Sequence, residues 1–119
     1  MLAAAGVIAL IALGACVTQA RPDDCGAPDV VRTLTISDRT LSPGDPAVCR
    51  GSEVTLEVTS DKAVVLHVHG YDAVAIEVPP DTPTAVSFAA DRSGQFPIEI
   101  HPLESPQGVE IGILTVHEP

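Results

Sequence analysis

The sequence predicts an all-β domain, a sandwich of about seven short strands with Greek-key connections, preceded by a signal peptide. Three observations predict it. Apolar and polar residues alternate with period two in several stretches, most clearly from Glu53 to Thr59. Turn residues (Gly, Pro, Asp and Ser) break the chain at roughly ten-residue intervals. Beyond the first fifteen residues no segment carries the periodicity of a helix.

The chain has 119 residues, enough for one domain. Hydrophobic residues make up 45% and aromatic residues only 3%, so the core must be built from Val, Ile, Leu and Ala. The formal net charge is −10, from 6 basic and 16 acidic residues. Nucleic acid is excluded as a partner, because phosphate contacts need Lys and Arg. The acidic residues are scattered, as on a solvated surface that keeps a domain soluble.

Residues 1–15 are almost wholly apolar and carry no charged side chain. A spanning helix needs about 20 such residues, so the run has the length of a signal-peptide core. It ends in Leu13-Gly14-Ala15-Cys16, which resembles the bacterial lipobox, although no Lys or Arg precedes the run. The resemblance implies cleavage before Cys16 and a lipid on that cysteine. The competing reading is an ordinary secretory signal with a coincidental cysteine. Residues 16–29 then form the lipidated N-terminus and a polar tether, and residues 30–119 the sandwich. With Cys16 lipidated, Cys25 and Cys49 remain as an even pair, and an oxidising compartment favours a disulfide between them. It would close a loop of roughly 25 residues, worth about 3 kcal/mol in the chain-entropy picture. A thiolate metal site is the alternative for this pair, and no histidine lies near either cysteine in sequence.

The strands follow in order. Val30 to Ile36 alternates loosely and reads as the first. Ser42-Pro43-Gly44-Asp45-Pro46 is turn chemistry. Glu53 to Thr59 directs Val54, Leu56 and Val58 inward, with one face of the sheet wet. After Ser60-Asp61-Lys62, the stretch Ala63 to His69 puts Val64, Leu66 and Val68 on one face. Val65, His67 and His69 fall on the other. Ala73 to Val78 ends at Pro79-Pro80, and Ala85 to Ala89 alternates again. Gln95 to His101 points Phe96, Ile98 and Ile100 inward, with Pro97, Glu99 and His101 outward. Pro97 calls for an edge position or a bulge. Val109 to Val116 closes the domain.

His67 and His69 are one residue apart in a strand and therefore share a face. Two neighbouring imidazoles make half of a metal site. His117, near the C-terminus, reads as a solvated tail residue. No phosphate-cradling glycine loop and no triad in a suggestive context appears, so the reading is a non-enzyme.

From Gly51 to Val116 the chain resembles the cupredoxin fold. The landmarks run in order: Gly51-Ser52-Glu53-Val54-Thr55-Leu56, His67 before a loop, Val78-Pro79-Pro80-Asp81-Thr82, Gly94-Gln95-Phe96-Pro97-Ile98, and Gly112-Ile113-Leu114-Thr115-Val116. The resemblance places His67 at the family's first copper-ligand histidine. It also implies a Cys where this chain has Ile100, a second His near Leu103 and a Met near Gly108 or Val109. The single Met is Met1, so blue-copper electron transfer does not carry over. In such a sandwich the strand ends at His67 and His101 are expected to converge at one pole. His67, His69 and His101 then form a candidate site for Cu(II) or Zn(II), with Glu99 or Asp72 adding an oxygen. Two functions follow as expectations. One is an exported lipoprotein of the cell envelope, on the extracytoplasmic side and membrane-anchored, binding a metal through those histidines. The other is a metal-free cupredoxin-like module that meets an envelope protein partner.

Overall fold

The computed structural model describes residues 20–72, 74–103 and 107–119. Cys16 and the signal-like run lie outside them. The described residues form nine strands: β1 (Asp29–Ser37), β2 (Thr40–Ser42), β3 (Ala47–Cys49), β4 (Glu53–Ser60), β5 (Val64–Val68), β6 (Ala75–Val78), β7 (Thr84–Ala89), β8 (Gly94–Pro102) and β9 (Val109–His117). They build two sheets, ordered β2-β1-β4-β7 and β3-β9-β8-β5-β6. Two pairings are parallel, β1 with β4 and β3 with β9, and the others are antiparallel.

The seven strands expected from alternation all form. The two further ones, β2 and β3, have three residues each, and their inward-pointing aliphatics are single ones, Leu41 and Val48. A period of two cannot be seen in so short a run. Between the sheets lie Ile36, Leu56, Leu66, Ile98, Ile100 and Leu114, all essentially without solvent contact. Removing such a side chain from water contributes about 1.5–3 kcal/mol. β4 shows the cause plainly, since Val54, Leu56 and Val58 are buried while Glu53 and Glu57 are exposed.

The three aromatic residues gather at one end of this aliphatic core. Tyr71 stands 5.0 Å from Phe88 and 4.7 Å from Phe96, centroid to centroid. The Arg92 guanidinium lies 5.1 Å above the Tyr71 ring. Tyr71 Oη donates to the Arg92 carbonyl at 2.7 Å, and burial pushes the phenol pKa up. Gly70 turns the chain into this cluster at φ 88°, with the Phe96 ring against its Cα, where a side chain would collide.

β1 contains a charged residue at an inward-phase position. Arg32 sits between the buried Val30 and Leu34 and reaches across the open side of the sandwich. Its Nε donates to the Ala47 carbonyl of β3 at 2.9 Å, and its two terminal nitrogens clasp Asp24 at 2.9 and 2.8 Å. That guanidinium holds the Asp24 carboxyl below the usual carboxylate range. Arg32 thus ties one sheet to the other and to the segment before β1. A Cys25–Cys49 disulfide, with Cα atoms 5.3 Å apart, and a Ser52 Oγ bond to the Ala27 carbonyl at 2.7 Å fix the same segment. Of the stretch expected to be a tether, the part from Asp24 onward is held against the sandwich.

β9 carries Gly112 and runs alongside the turn before β3. The Asp45 carboxylate accepts the Ile113 amide at 3.0 Å there, supplying a partner where no strand is present. A Cβ at Gly112 would stand 2.7 Å from that carboxylate and 2.8 Å from Leu41.

Candidate functional site

The alternation of β5 decides where its histidines point. Val64, Leu66 and Val68 fill the core, so Val65, His67 and His69 face out from the five-stranded sheet. β5 ends at Val68, but the ladder continues, with the His69 amide donating to the Pro97 carbonyl at 2.9 Å. His69 therefore keeps its place beside His67, and their ring centroids are 4.6 Å apart.

β8 supplies the other half. Ile98 and Ile100 point inward, so Glu99 and His101 point outward. Register places His67 directly opposite Glu99 and Val65 opposite His101. Pro97 lies in a central strand, one residue before a register shift between Ile98 and Glu99 where β8 meets β9. The proline therefore takes neither an edge nor the bulge itself: it pairs in register with Ile113, and the extra residue of the shift, Ile111, belongs to β9.

Glu99 is the hub of this face. Its Oε2 accepts from His69 Nε2 at 2.5 Å, and its Oε1 lies 2.9 Å from His101 Nε2. The hydrogen bond from His69 holds the Glu99 carboxyl below the usual carboxylate range. Burial opposes that bond as the next largest effect, and the charges of His101, His69 and His67 add smaller contributions in the direction of the bond. Its side chain is 21% exposed, against 47% for His69 and 38% for His101. Behind it is Gly108, whose missing Cβ leaves the space that the Glu99 carboxylate occupies.

The structure therefore brings His67, His69 and His101 together, but on a sheet face and not at a pole. The expectation of converging strand ends is corrected by the pairing itself. β5 and β8 are antiparallel, so their C-terminal ends point to opposite ends of the sandwich, and the histidines meet through facing positions within the ladder. Among the described residues, no group of three or more His, Cys, Asp or Glu side chains is arranged to hold a metal ion. Neither prominent surface hollow is lined by these residues; one lies against Arg32 and Pro43, the other against Lys62 and Leu103.

The type 1 copper ligands implied by the resemblance do not fit here. Cys25 and Cys49 are bonded to each other, and Ile100 packs in the core at 1% exposure. The thiolate such a site requires has no counterpart next to His67 among the described residues.

Sequence reasoning misplaced one histidine and missed one acid. His117 is not a tail residue. β9 runs through it, it pairs with Cys49 of β3, and its Nε2 is buried with no hydrogen-bond partner among the described residues. Glu110 stands opposite Glu99 on β9, so the hub carboxylate has an imidazole on one neighbouring strand and a second acid on the other. Nothing in the alternation of β9 alone identified that neighbour, because the register shift sets it.

No protein-family model matches the chain, and no curated protein matches it in sequence. Solved structures do match in shape. The blue copper oxidase of Nitrosomonas europaea superposes with a TM-score of 0.60 at 18% identity, over 76% of this chain and 39% of that one. The copper nitrite reductase of the same organism gives 0.56 at 17%, over 76% and 42%. Auracyanin A, a blue copper protein of Chloroflexus aurantiacus, gives 0.55 at 13%, over 75% and 99%. The chain spans about two-fifths of the two enzyme chains and nearly all of auracyanin A. The two-sheet architecture and these likenesses together assign the described domain to the cupredoxin-like fold.

Proposed function

We propose that this chain is an exported, lipid-anchored cupredoxin-like module of the cell envelope that works by protein interaction and not by carrying electrons. The observation that carries the reading is the use of Glu99. Both of its oxygens are engaged by imidazole nitrogens, from His69 and His101, so two of the three imidazoles that a metal would need are satisfied by a carboxylate. The copper-thiolate chemistry of blue copper proteins lacks its sulfur ligand here, and fold alone does not fix function.

Export is supported by the apolar run ending in Leu13-Gly14-Ala15-Cys16 and by the Cys25–Cys49 disulfide, a bond suited to an oxidising compartment. Labelling cells with a fatty-acid analogue checks the anchor. The wild type takes up label and Cys16→Ala does not; equal labelling of both removes the lipid.

A second reading, Cu(II) or Zn(II) bound by His67, His69 and His101, is favoured by one observation. The rings of His67 and His69 stand 4.6 Å apart, and both they and His101 surround one carboxylate. Displacement of Glu99 from its two histidines would free four donors on one face. Calorimetric titration of the wild type and His67→Ala with each metal separates the readings. Equal weak binding by both supports the metal-free module. Near-stoichiometric binding by the wild type, lost in His67→Ala, establishes the metal site.

A further inference from the structure

The four edges of the two sheets are not treated alike. β2 and β3 have three residues each, and β3 lies between Pro46 and the cystine at Cys49. β6 has four residues, carries Glu77 and runs into Pro79 and Pro80. Short length, charge and proline are the usual devices by which a sheet blunts an exposed edge. β7 has none of them. Its six residues, Thr-Ala-Val-Ser-Phe-Ala, include no charge and no proline, and its only strand partner among the described residues is β4. Ala85, Ser87 and Ala89 are exposed and small, leaving the edge open to approach. On the core side, Val86 is only partly covered, as is Ile76 on β6 at the edge of the other sheet.

We propose that β7 is a pairing edge for a second copy of this chain. The two β7 strands run antiparallel about a two-fold axis and join two four-stranded sheets into one of eight strands. Charge selects this occupant. A chain of net charge −10 can meet its own copy closely only where like charges do not face each other, and β7 is such a strand. An uncharged edge also offers nothing by which to select an acidic or basic foreign segment.

Strand geometry fixes the register. Residues facing each other in an antiparallel pair point to the same side of the sheet. The core-side Val86 and Phe88 must stay on the core side in both copies, so the axis passes through a residue and not between two. With the axis at Val86, that residue meets its own copy and Ala85 faces Ser87. The small outward side chains then meet without crowding, and the paired valines cover a partly exposed part of the core margin.

The test is the mass of the full chain in non-ionic detergent, by sedimentation equilibrium from about 1 μM to about 1 mM. The wild type is expected to double its protein mass with concentration. The double variant Ala85→Lys with Ser87→Lys brings like charges opposite one another and is expected to stay monomeric. Glu77→Lys on the β6 edge is expected to behave as the wild type. Circular dichroism and unfolding midpoints show whether each variant is folded. A wild type that stays monomeric throughout, or a folded double variant that still dimerises, overturns the proposal. Hydrogen exchange on the wild type gives a readout without substitution. Slowing of the β7 amides with concentration supports the pairing, and concentration-independent exchange of those amides overturns it.

Discussion

The Glu99 carboxylate occupies the volume that a Cβ on Gly108 would take. The acid is thereby held against the sheet with one oxygen on His69 and the other on His101. Gly108→Ala is expected to expel the carboxylate from this seat, raising the Glu99 pKa back toward the ordinary value. Carboxyl-selective NMR titration of the wild type and Gly108→Ala checks the direction.

The same carboxylate gives the fold an acid limb. Its folded pKa is depressed, so its contribution is fully present above the unfolded value near 4.3 and is lost as pH falls through the folded value below that. Urea unfolding across this window should show the wild type losing stability more steeply than Glu99→Gln, which has no proton to take up there. Equal slopes would remove Glu99 as the source.

Arg32 joins the two sheets through the Ala47 carbonyl and clasps Asp24. Arg32→Ala removes charge-assisted bonds at a half-buried position and is expected to cost about 2 kcal/mol in denaturant unfolding. Asp24→Asn should cost less, because Asp24 is 41% exposed and solvent screens the pair.

Gly112→Ala forces a methyl group toward the Asp45 carboxylate and Leu41. Overpacking of this kind costs about 1–3 kcal/mol. Thermal unfolding is the measurement, and a wild-type midpoint would show that the Asp45 turn yields freely.

Reduction of Cys25–Cys49 releases a loop of 24 residues in sequence separation. Chain entropy sets the expected loss at about 3 kcal/mol. Unfolding with and without reductant, with Cys25→Ser plus Cys49→Ser as the permanent form, reads it directly.

Much of the architecture was legible where one strand carries several inward residues. Val54, Leu56 and Val58 declare β4, and Ile98 with Ile100 declares the inner face of β8. The outward companions Glu99 and His101 follow from the same count. Arg32 explains why β1 alternates poorly, since a cation fills an inward position and finds its partners in other elements. What stayed hidden depends on pairing between distant strands. The placement of His101 required knowing that β5 and β8 run antiparallel, and the placement of His117 required knowing that β9 continues beside Cys49. Neither relation leaves a mark in local periodicity.

The aromatic end of the core has a use of its own. The chain has one tyrosine and no tryptophan, so its tyrosine fluorescence comes from Tyr71 alone. That ring reports on a single region, enclosed by Phe88 and Phe96 under Arg92. The protein thus carries an internal optical probe at one end. Loosening there can be followed without a label and separated in time from unfolding of the strands that far-ultraviolet signals record.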